Sequence, residues 1–258
     1  MFGICKDKYS KMFDERRANE ITINCQLFAT DLLDKLEEGL GEQLDLIQVN
    51  TDGIIVLLKD KSLYPKYLEI CKEWEERTKF KLEHDMIKRI IQKDVNNYLA
   101  LFENGQLERK GSYVKDKSPI DNDLPIVTKA VVDYLMYDIP VEKTINECDD
   151  LIQFQLCCKV GSTYDEVRYG DKPINTKVNR VFATTKDLPM LFKVKKNFEN
   201  KKGEIADKIE KVANVPEHCW INNDSVIDVK CPEHIDKQWY IDMAIKRIKD
   251  FGIKYEIV

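Results

Sequence analysis

The sequence predicts an α+β fold, an antiparallel sheet packed against helices and followed by a mainly helical C-terminal part. Three observations carry this reading. An amphipathic run spans residues 15–40, two apolar runs at 44–49 and 53–58 flank the tetrapeptide N-T-D-G, and further short strand-like runs follow a second helical stripe.

From Glu15 to Leu40, the apolar residues Ala18, Ile21, Cys25, Phe28, Leu32, Leu33 and Leu36 recur at steps of three and four, tracing one face of a long helix. Gly39 and Gly41 end it, because glycine accepts the backbone of a helix C-cap. Asn50-Thr51-Asp52-Gly53 then forms a hairpin turn between two β-branched runs whose near-continuous apolar character predicts cover on both faces. Ser62 can cap a second helix with Pro65 in its first turn and Leu63, Tyr67, Ile70, Cys71 and Trp74 on its buried stripe. The runs "KLEHDMIKRIIQK", "NYLALFE" and "QLERKGSYVK" predict more antiparallel sheet, the last two meeting at Glu103-Asn104-Gly105-Gln106. A polar stretch with two prolines at 115–125 predicts a boundary, giving a first part over 1–118 and a second over 119–258. In the second, three short helices are expected between Asp123 and Lys159, punctuated by Pro140, Asp149 and Asp150, then a less regular segment and a final helix carrying "WYIDMAIKRIKDF".

Composition narrows the function classes. With 258 residues, 34% charged and 43% hydrophobic, the chain has the balance of a globular protein with a real core. No window approaches the roughly 18 apolar residues of a membrane helix, and the N-terminus lacks the apolar centre of a signal peptide, so a soluble, cytoplasmic protein with no membrane partner is expected, in the host-cell cytoplasm if viral. The eight cysteines show no C-x-x-C spacing, which fits reduced, buried thiols, and Cys157-Cys158 reads as helix core. His218, Cys219, Cys231 and His234 have ligand types that suit zinc, although the adjacency of His218 and Cys219 makes one half awkward. A net charge of −5 does not announce a nucleic-acid partner, and the lysine-rich run at 192–204 reads first as a solvated face.

The remaining question is why a carboxylate, Asp52, stands at the tip of such an apolar hairpin. Asp and Asn are frequent in turns because they tolerate left-handed backbone and bond to it locally. The functional alternative is a rigid turn aiming one acid at a divalent cation. A calcium-binding helix-loop-helix is excluded by spacing, since aligning Gly53 with its loop glycine puts Gln48 and Lys59 at ligand positions.

On these residues the chain resembles the family B DNA polymerases, most closely those of bacteriophages. "LIQVNTDGIIV" is similar to their motif C, the palm hairpin usually written Y-G-D-T-D-S; "MFGICKDKYSKMF" and the helix after it resemble the segment following motif B, with Phe2-Gly3 where a Tyr-Gly pair is usual. "KDVNNYLALFENGQLERKGSYV" is similar to the downstream primer-contacting strands, and "KVANVPEHCWINND" and "DKQWYIDMAIKRI" to the thumb. The resemblance runs through essentially the whole chain, in order. It implies that 1–118 is the C-terminal part of a palm and 119–258 a thumb.

By that resemblance Asp52 binds catalytic Mg²⁺, Asn50 stands where the motif's first aspartate is usual, and Thr51 and Gly53 complete the turn. Lys93, Asn97 and Tyr98 fall in the primer-contacting element, and Lys110 with Gly111 in the strand that follows the duplex. Lysines on a sheet edge can neutralise phosphates without reading bases, although such lysines are also ordinary edge-strand protection. The implied partners are primer-template DNA, deoxynucleoside triphosphates and an upstream polypeptide carrying motif A, the triphosphate-binding lysine, the fingers and the exonuclease. The implied activity is nucleotidyl transfer by a two-metal mechanism, absent from the isolated polypeptide. The competing expectation is a non-catalytic fragment that binds duplex DNA.

Overall fold

The computed structural model describes residues 2–50, 53–116, 124–199 and 203–256. Thr51 and Asp52, the centre of the turn singled out above, lie outside the described residues, as do residues 117–123 of the expected boundary. The chain divides into two compact units, Met1–Asp85 and Met86–Val258.

In the first unit, α1 (Phe2–Lys6) leads to α2 (Glu15–Leu40), which occupies the span its periodicity predicts. Asp14 caps α2 by accepting from the Arg17 amide, and Gly41, at φ 54°, lets the chain leave. The strands β1 (Leu44–Val49) and β2 (Ile54–Leu58) form the expected antiparallel hairpin. A 3-10 turn, capped by Asp60 and not by Ser62, opens α3 (Tyr64–Thr78). The core joins Leu32, Leu36 and Leu40 of α2 to Leu44 and to Cys71 and Trp74 of α3, with Ile54, Val56 and Leu58 packed against it.

The hairpin is not covered throughout. Leu57 is 51% exposed, and Leu46 and Ile47 also reach solvent. An apolar run records a preference for burial but not the number of layers available, and α2 and α3 supply one layer in this unit.

In the second unit, β3 (Ile87–Asp94), β4 (Asn97–Phe102) and β5 (Leu107–Lys110) form an antiparallel meander in the order β3-β4-β5, with Gly105 at φ 86° in the expected turn. Next come α4 (Pro125–Tyr137), α5 (Val141–Glu147) and a 3-10 turn at Leu151–Phe154 capped by Asp150. Leu99 of the meander shares a core with Val127, Val131 and Leu135 of α4 and with Tyr240, Ala244 and Ile248 of α6 (Lys237–Asp250). This shared core joins the meander to the helices, so the compact division falls at 85/86, upstream of the polar stretch.

The expected mainly helical second part is corrected here, because strands make up much of it. They are β6 (Leu156–Lys159), β7 (Glu166–Tyr169), β8 (Lys172–Ile174), β9 (Val178–Ala183), β10 (Leu191–Glu199), β11 (Ile205–Lys211) and β12 (Cys219–Ile221). They form a four-stranded sheet ordered β11-β10-β7-β8 and a three-stranded sheet ordered β12-β9-β6. Cys157-Cys158 therefore lies in a strand, with Cys158 buried and Cys157 partly exposed. The signal was masked by composition: β11, "IADKIEK", is exposed along nearly all its length, so it lacks the alternation that marks a half-buried strand. Among the described residues no helix is long and apolar enough to cross a membrane.

Candidate nucleic-acid interface

At the hairpin tip the chain closes on itself. The Asn50 amide donates to the Gly53 carbonyl at 3.0 Å, and the Gly53 amide donates to Asn50 Oδ1 at 2.8 Å. Asn50 thus closes the turn with its side chain, a role open to Asn or Asp at this position. Its neutral amide adds no charge for a cation. Asp45 of β1 pairs with Lys59 at 2.8 Å, and Asp31 of α2 accepts from Trp74 Nε1 at 2.8 Å and from Arg77. Among the described residues no group of three or more His, Cys, Asp or Glu could hold a metal ion.

The second set of predicted residues is brought together at one end of the meander. Tyr98 stands opposite Gln92 of β3 on one side and Lys110 of β5 on the other. Lys110 Nζ lies 5.6 Å from the centre of the Tyr98 ring, within cation–π range. The Tyr98 hydroxyl donates to Glu108 at 2.6 Å, and burial followed by this bond pushes its pKa up to about 12. Asn97 donates to both oxygens of Asp94 at 3.0 Å, which holds that carboxyl below its usual range. Lys93 sits beside Asp94 where the β3–β4 register shifts, and its side chain is exposed. Gly111, at φ 106°, lies against Asn97: a Cβ there would stand 2.3 Å from Asn97 Oδ1 and 3.0 Å from the Asn96 carbonyl oxygen.

Asn97, Tyr98, Lys110 and Gly111 therefore form one corner, with Lys93 in the adjoining bulge. Sequence reasoning missed the two acids of this corner. Glu108 was within reach of it, since a period of two places residues 108 and 110 on one face of β5. With Asp94 and Glu108 beside the two lysines in the strands, the corner carries no strong net positive field.

Among the described residues, His218, Cys219, Cys231 and His234 do not come together as a set of zinc ligands. His218 Nδ1 lies 3.1 Å from the Leu188 carbonyl, the Cys219 thiol donates to the Pro189 carbonyl at 3.1 Å, and the His234 ring packs edge-on against Trp220 with centres 5.0 Å apart. Burial lowers the pKa of His234 and raises that of Cys231 to about 11, so each is held in its neutral form.

Compared with known families and curated proteins, the chain matches no family model and no curated protein.

Proposed function

We propose that this chain is the C-terminal palm-and-thumb portion of a family B DNA polymerase of bacteriophage type, a nucleotidyltransferase that gains activity with an upstream polypeptide. The observation that supports the reading is the corner on β3–β5, where Asn97, Tyr98, Lys110 and Gly111 meet in space. The ammonium groups of Lys93 and Lys110 would bind backbone phosphates of primer-template DNA irrespective of sequence.

The partly exposed hairpin supports the need for a partner. A two-stranded sheet is marginal alone, and exposed Leu46, Ile47 and Leu57 give an added polypeptide an apolar surface to cover. In this reading the upstream part brings the deoxynucleoside triphosphate and a second acid to Asp52. Two bound Mg²⁺ ions would there activate the attacking oxygen and stabilise the leaving one. Asn50 keeps the turn closed without contributing charge.

The test mixes the chain with a polypeptide carrying the upstream half and measures Mg²⁺-dependent primer extension, with Asp52→Ala as the comparison. Extension by the mixture that the substitution removes, with assembly intact, is the expected outcome. A folded complex on DNA that extends nothing would instead favour the second reading, a non-catalytic duplex-binding fragment, in which Asp52→Ala leaves DNA affinity unchanged or improved. Robust extension by the isolated chain would overturn the requirement for a partner.

A further inference from the structure

A cavity of about 330 Å³ opens on the β6–β9 sheet, away from the corner described above, lined by Gln155, Cys157, Thr176, Val178, Arg180 and Asn223. Its floor follows from strand register. Cys157 of β6 stands directly opposite Arg180 of β9, and Val178, two residues along, shares the same face. Asn179 points the other way, where it is buried.

The loop after β12 forms a wall. The Arg180 amide donates to Asn223 Oδ1 at 2.9 Å, the Asn222 amide donates to the Arg180 carbonyl at 3.1 Å, and Asn223 Nδ2 donates to Asn179 Oδ1 at 3.1 Å. These bonds hold the backbone of Arg180 firmly while leaving most of its guanidinium uncommitted. Nη1 donates to the Asp224 carbonyl. Among the described residues Nε is buried with no hydrogen-bond partner, Arg180 forms no ion pair, and no carboxylate lines the cavity.

An arginine beside a cavity, lacking a counter-charge and holding an unpaired buried N–H, is an unusual arrangement for a purely structural residue, since buried donors are nearly always satisfied. The planar guanidinium presents a fork matched to two oxygens of a carboxylate or phosphate. Amide and hydroxyl groups from Gln155, Asn223 and Thr176 add neutral polar lining, and Val178 with Cys157 an apolar strip.

We propose that this cavity is a binding site for the oxyanion group of a small ligand, a phosphate or a carboxylate, with Arg180 as its charged anchor. A small adjustment of the guanidinium brings Nε and its neighbouring nitrogen onto the two oxygens, and the ligand supplies the acceptor that no described residue offers.

Cys157 provides a local readout, because an occupant of the cavity shields its thiol. The full chain is treated with iodoacetamide, and labelling of each cysteine is followed by peptide mass spectrometry with inorganic phosphate, with acetate, or with chloride at matched ionic strength. At a concentration of about ten times Kd, occupancy leaves about one-eleventh of the sites free, so labelling of Cys157 is expected to slow about tenfold. Arg180→Gln is expected to abolish that protection and Arg180→Lys to weaken it. Buried Cys158 and Cys219 remain unlabelled in any variant whose sheet is folded, which separates loss of binding from loss of fold. Protection by phosphate alone would assign a phosphate ligand, and protection by acetate as well would admit carboxylates; both support the site. No protection by either anion in the unsubstituted chain, or equal protection in a folded Arg180→Gln variant, would overturn it.

Discussion

Gly111 shows most directly how a single residue shapes the proposed interface. Its φ of 106° is strained for any residue with a Cβ, and the Cβ would also overlap Asn97 Oδ1. Gly111→Ala is expected to destabilise the protein by about 1–3 kcal/mol, read as a lower urea midpoint. If the corner binds DNA, the same substitution weakens duplex affinity by displacing Asn97 and Lys110 together. An unchanged midpoint would mean that the corner rearranges without cost. Asn50 is a contrasting case: its side chain closes the turn in the way the ordinary reading of Asn in a hairpin describes, whatever the chemistry of its neighbour.

Among the elements, one carboxylate bridges α2 and α3 beside their shared apolar core. Asp31 accepts from Arg77 and from the indole of Trp74, a side chain only 5% exposed. The bond from Arg77, assisted by that from Trp74, lowers the Asp31 pKa against the opposing effect of burial. The unfolded chain, with an ordinary carboxyl, therefore takes up its proton at higher pH than the folded one. The stabilisation is fully present above the unfolded pKa and is lost as pH falls through the lower, folded value. Asp31→Asn is expected to flatten the fall in stability of the first unit on acidification from pH 5, seen in urea melts at a series of pH values. Equal slopes in both proteins would show that other acids dominate that fall. The charged hairpin of β10 and β11 illustrates the opposite case at this scale. Lys193 and Lys208 approach Glu210 at 3.8 and 2.8 Å, and Lys196 approaches Glu166 at 3.0 Å. Cross-strand pairing organises side chains that in sequence look only like a solvated charge run.

At the scale of the molecule, the hydrophobic clusters each lie within one of the two compact units. Because cooperative unfolding follows shared core packing, denaturation is expected to occur in two transitions. The tryptophans separate them: Trp74 reports on the first unit, and Trp220 and Trp239 report on the second. Variants retaining Trp74 alone, or lacking only Trp74, should show different urea midpoints by fluorescence. Coincident midpoints and slopes would mean that the units unfold as one.

Much of the first unit was legible in the sequence because its signals are local. The period of α2, its terminal glycines and the N-T-D-G turn each depend on neighbours within a few residues, and the helix and both strands fall where those signals put them. The same is true of α6 and of the turn at Gly105. The β6–β12 strands were hidden because their stabilising partners are distant in sequence and many of their side chains are charged and exposed. For the site, sequence named Asn97, Tyr98, Lys110 and Gly111, but their convergence and their acidic neighbours are products of strand pairing. The sequence by itself determined the α+β class, the long helix, the hairpins and a list of chemically capable residues, since these follow from periodicity and backbone preference. Only the tertiary structure decided that parts of the first hairpin stay exposed, that the meander joins the helices of the second unit, and that Arg180 faces a cavity where no described residue supplies a counter-charge, because each of these depends on which distant surfaces come together.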